Sequence, residues 1–109
     1  MRKITSLKKK ERRIIIDAVA KALKEDRGIE FAYIFGSFIE DSVFRDIDIG
    51  IYLKNTRNKN LISHEAALAE KIAAAIKFPV DIIDVRIINS APSIFLAKYF
   101  QQRKIAFFQ

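Results

Sequence analysis

Cysteine and tryptophan are absent from the 109 residues, glycine occurs three times, proline twice and histidine once, as His64. Without cysteine there is no disulfide and no thiol nucleophile, and a single histidine cannot build a histidine cage, so any metal site has to use oxygen ligands. Scarce glycine and proline, with no repeat period, exclude collagen-like, solenoid and low-complexity chains. No apolar run approaches the roughly 18 residues of a membrane span, and the first residues are charged where a secretory signal needs an apolar stretch. The expectation is a cytoplasmic protein with no membrane partner.

What is present is 50% hydrophobic and 30% charged residues, enough for one globular domain over 1–109. The formal net charge of +7 is unevenly placed, because seven basic residues face one acid, Glu11, between Met1 and Ile16. A near-neutral body therefore carries a basic end, which suits RNA, a phosphate-bearing ligand, an acidic partner or plain solvation.

Ser6 is placed to cap a basic N-terminal helix over 6–27, since Ile15, Val19 and Leu23 recur at helical spacing until Gly28. Ile29 to Phe35 is a β-branched and aromatic run of strand length, ended by Gly36 and Ser37. Phe38 to Arg45 suits a helical turn, Asp46 to Lys54 alternates as a strand, and 55–60 is a polar loop. Leu61 to Lys77 reads as an amphipathic helix ending before Pro79, Val80 to Ile88 as a third strand, Ser90 to Lys104 as a further helix, and Ile105 to Phe108 as a last short strand. This order predicts an α/β (α+β) architecture, a small mixed β-sheet with helices packed on one face.

Within Asp46-Ile47-Asp48-Ile49-Gly50-Ile51-Tyr52-Leu53, alternation sends the four apolar residues to one face and Asp46, Asp48, Gly50 and Tyr52 to the other. The two acidic Cα atoms then lie roughly 6.6 Å apart, two strand rises. Like charges at that spacing repel, so the pair suits a divalent cation such as magnesium or manganese. An exposed polar face on an edge strand gives the same pattern. Asp81 stands on the next predicted strand, whereas Asp84 has the opposite parity and is expected to point elsewhere. A glycine after a buried strand lets backbone amides approach an anion, and Ser37 adds a hydroxyl.

Phe-Gly-Ser-Phe at 35–38, Arg-Asp-Ile-Asp-Ile at 45–49 and Val-Asp-Ile at 80–82 together resemble the minimal nucleotidyltransferases of the DNA polymerase β superfamily. The resemblance runs from about Phe31 to the C-terminus. It implies a Mg²⁺-dependent transfer of a nucleoside monophosphate, AMP from ATP, to a hydroxyl with release of pyrophosphate. By that resemblance Asp46 and Asp48 hold two Mg²⁺ ions, Asp81 completes the metal site and helps deprotonate the acceptor, and Gly36 and Ser37 seat the triphosphate. Small members of this kind pair with a helical HEPN toxin, which some of them adenylylate on tyrosine. The connection Ile39-Glu40-Asp41-Ser42 is short and acidic, and Arg45 is the cation nearest to compensate it. Two other classes fit the same residues: a non-catalytic antitoxin that acts by binding, and an RNA-binding domain using Lys8 to Lys10, Arg12 and Arg13. The many C-terminal aromatics also suit a homo-oligomer.

Overall fold

A computed structural model describes residues 8–35, 38 and 43–90, together with the backbone of 5–6 and 104–108. Strand β1 (Thr5–Ser6) is followed by helix α1 (Lys9–Lys24), β2 (Ile29–Phe35), β3 (Val43–Phe44) and β4 (Ile47–Leu53). Then come helix α2 (Leu61–Ile76), a 3₁₀ turn (Val80–Ile82), β5 (Ile83–Ile87) and β6 (Lys104–Phe108). Four strands form a mixed sheet in the order β5-β4-β2-β6, with β5 parallel to β4 and the other pairs antiparallel; β1 and β3 form a separate two-stranded ribbon. The α+β architecture read from the sequence is the one found.

The strict alternation of β4 is what lets it sit at the centre of the sheet. Ile47, Ile49, Ile51 and Leu53 are at most 1% exposed and pack with Val19 and Leu23 of α1 and with Leu68 and Ile72 of α2 in one core. Both helices therefore cover one face of the sheet. The alternate residues, Asp48, Gly50 and Tyr52, belong to the opposite face.

Three boundaries differ from the sequence reading, each for a local reason. Ser6 does not cap α1, because its backbone pairs with Val43 in the ribbon; Lys8 precedes the helix, and its N–H donates to the Glu11 carboxylate at 3.2 Å. The helix closes at Lys24 rather than at 27, where Asp26 takes over the turn by accepting from Gly28 N–H at 2.9 Å. The third strand starts at Ile83 rather than Val80, since Ile82 N–H donates to the Pro79 carbonyl and winds 80–82 into the 3₁₀ turn. The expected helix over 90–104 falls almost wholly outside the described residues.

Two polar side chains tie the layers together. Asn89 meets the exposed end of β4 as a backbone would: its Oδ1 accepts from Leu53 N–H and its Nδ2 donates to the Leu53 carbonyl, both at 2.8 Å. Asn89→Ala leaves both Leu53 groups part-buried without those partners, and we expect a loss of about 1–3 kcal/mol in denaturant unfolding.

His64, in the first turn of α2, lies 2.7 Å from Asp26 Oδ2 at the end of α1. Burial works against the Asp26 carboxylate, but the hydrogen bond to His64, the Gly28 N–H and the nearby charges of His64 and Lys59 hold its pKa below the ordinary 3.8. A depressed carboxyl pKa stabilises the fold above the unfolded value and loses that effect as pH falls through the folded one. The Tm deficit of Asp26→Asn, a few degrees at pH 6, should therefore narrow as pH drops below 3.8.

Candidate active site

The site is built on the sheet face away from the helices. Strand β4 presents Asp48, then Gly50, then Tyr52 along that face, with Asp46 one residue ahead of the strand. Both aspartates are half-buried. In the register, Asp48 lies between Phe35 of β2 and Asp84 of β5, and Gly50 lies between Tyr33 and Arg86. Residues paired across a ladder share a face. Asp48 and Asp84 therefore project from neighbouring strands to the same side of the sheet.

Asp84 thus takes the position that strand alternation from Val80 assigned to Asp81. The sequence contains two overlapping apolar-acid patterns, Val80-Asp81-Ile82 and Ile83-Asp84-Val85, and only the second lies on a strand. Asp81 belongs to the 3₁₀ turn and is exposed. Ile82 and Ile83 are both 6% exposed, the first closing the 3₁₀ turn and the second opening the strand, and this change of backbone shifts the phase of the acids between them. Arg86 Nε donates to Asp84 Oδ1 at 3.2 Å in an exposed pair, a readily displaced partner.

The rest of this face is aromatic. Phe31 stacks on Tyr52 with ring centroids 4.9 Å apart and meets Tyr33 edge-on at 5.4 Å. Tyr52 is thereby occupied in packing. Gly50 allows a close approach here, since an added Cβ would stand 3.1 Å from the Phe35 ring and 3.5 Å from Ile88. Arg45 is exposed immediately before Asp46. Gly36 and Ser37 lie outside the described residues. Phe38, which follows them, is buried at 1% exposure and packs edge-on against Phe44 at 4.8 Å. A groove of about 680 Å³ along α1 is lined, among the described residues, by Lys9, Arg12, Arg13, Ile14 and Phe38.

Among the described residues, no three acidic or histidine side chains form a ready-made metal cage. The donor set nevertheless fits a hard cation. Magnesium is commonly held by one or two carboxylates with the remaining positions left to water and substrate phosphates, and Asp48 and Asp84 offer oxygen donors on the face opposite α1 and α2, with Asp46 directly ahead of β4. Among the described residues, no helix is long and apolar enough to cross a membrane.

The described fold is an α+β sheet with α1 and α2 on one face and the registered acids Asp48 and Asp84 on the other. The polymerase beta nucleotidyltransferase family matches residues 17–108, and the chain belongs to that family. It is similar to a chain of a mutant MntA–HpeT toxin–antitoxin (23% identity, TM-score 0.66, covering 86% of this chain and 73% of that one). It is also similar to a chain in the complex of tri-AMPylated Shewanella oneidensis HEPN toxin with MNT antitoxin (22% identity, TM-score 0.62, 85% and 70% covered). A toxin–antitoxin structure with AMP-PNP gives 24% identity and a TM-score of 0.63 over 81% of this chain and 69% of that one. These likenesses establish the fold. No curated protein matches the chain.

Proposed function

We propose that this nucleotidyltransferase moves AMP from ATP to a hydroxyl of a HEPN-type toxin, with Asp46, Asp48 and Asp84 as its acidic centre. The observation that carries the reading is the register of Asp48 with Asp84, in a chain of this family, on the face the helices leave open. The neighbours' AMPylated HEPN toxin and AMP-PNP complex support the choice of nucleotide and acceptor.

In the reaction the acceptor hydroxyl oxygen attacks the α-phosphorus, the bond to the leaving pyrophosphate breaks, and a carboxylate takes the hydroxyl proton. Negative charge gathers on the entering and leaving oxygens as this happens. Asp46 and Asp48, with Asp84 beside Asp48 in the register, would hold a divalent cation, which would neutralise that charge. Asp48 is fixed by the central strand and Asp46 directly precedes it, so little reorganisation is needed before transfer. Gly36 and Ser37 seat the triphosphate in this proposal, and exposed Arg45 reaches toward it. Asp81, on its turn, is left in solvent.

The test is a transfer assay with α-labelled ATP, Mg²⁺ and the cognate HEPN protein. Label on the toxin and release of pyrophosphate are expected, both lost when a chelator removes the metal. Neutralisation of the toxin by tight binding with no label transferred would overturn the reading in favour of a binding antitoxin.

A further inference from the structure

Phe38 and Phe44 flank the connection that leads to the acidic pair, and one side chain from outside the sheet touches both. Arg12 of α1 donates through Nη1 to the Phe38 carbonyl. Its guanidinium also stands 5.3 Å from the centroid of the Phe38 ring and 5.5 Å from that of Phe44. Phe38 directly follows Gly36-Ser37, and Phe44 directly precedes Arg45-Asp46. We propose that Arg12 is a positioning residue for the transferase site, holding Phe38 and Phe44 against α1 so that Asp46, two residues after Phe44, keeps its place for the nucleotide.

The guanidinium is held inward there, its Nη2 buried with no hydrogen-bond partner among the described residues. Only a planar cation can donate to a carbonyl while facing two ring edges and faces at once. A second contact points the same way: β1, just ahead of α1, pairs Thr5 with Phe44 and Ser6 with Val43. The N-terminal segment thus braces the connection twice. Arg12 and β1 both precede residue 17, where the match to the family begins.

The inference rests on the reading of Asp46 and Asp48 as the acidic centre, and its test separates the two. Arg12→Lys keeps the charge without the planar fork, and Arg12→Met keeps the packing without the charge. For each, amide hydrogen exchange is measured on the protein alone, and the affinity for Mg²⁺-ATP is measured without any acceptor. Exchange at Phe38, Val43 and Phe44 is expected to accelerate roughly tenfold, with amides of α2 and β4 unchanged, and the nucleotide Kd is expected to rise roughly tenfold in both variants. The transfer assay should show this as a raised KM for ATP with a smaller change in kcat. Unchanged local exchange, uniform acceleration over the whole fold, or local acceleration with unaltered nucleotide affinity would each overturn the inference. A wild-type protein that binds ATP but transfers nothing contradicts the proposed reaction and leaves the role of Arg12 standing; one that binds no nucleotide sinks both.

Discussion

Asp48→Asn is expected to lower AMP transfer by about 10³-fold while the protein stays folded. Asn preserves the shape of the side chain, so the central strand keeps its pairing with β2 and β5 and its buried isoleucines. What is lost is one unit of negative charge at the position proposed to hold the cation. Removing a single preorganised electrostatic contact to a transition state typically costs 10²–10³-fold, and a metal-binding carboxylate affects both entering and leaving oxygens. The check is initial-rate kinetics with labelled ATP, with thermal unfolding beside it showing a Tm within a few degrees of wild type. A rate within tenfold of wild type would remove Asp48 from the reaction.

The second large effect separates two aspartates three residues apart. Asp84→Asn should lower transfer by about 10²-fold, because Asp84 is registered with Asp48 on the open face. Asp81→Asn should leave the rate within about twofold, because exposed Asp81 sits on the 3₁₀ turn before the strand begins. The same assay run on both variants reads the contrast directly. The reverse order, with Asp81 the more damaging, would restore the assignment that alternation from Val80 suggests.

The contrast shows where the sequence was informative and where it was not. Strand β4 was legible residue by residue, because four branched or long aliphatic residues alternate without interruption and a central strand with one covered face demands that pattern. Strand β2 was equally clear, its β-branched and aromatic run matching Ile29–Phe35. The start of β5 was harder, since Asp81 and Asp84 each follow an aliphatic residue and the change of phase comes from the 3₁₀ turn that closes at Ile82. The helix start after Ser6 depended on pairing with Val43, a contact across 37 residues that no local capping rule contains. Arg12 was legible only as part of a basic stripe. That its guanidinium turns inward onto Phe38 and Phe44 depends on three segments meeting. The glycine-serine turn remains an expectation from its motif.

The most direct test of the account is a crystal structure of the protein with Mg²⁺ and AMP-PNP. Metal density is expected against the carboxylates of Asp46 and Asp48, on the sheet face shared with Asp84, with the nucleotide phosphates completing the coordination. Metal and nucleotide bound elsewhere, or ligated by Asp81 with Asp84 turned away, would contradict it.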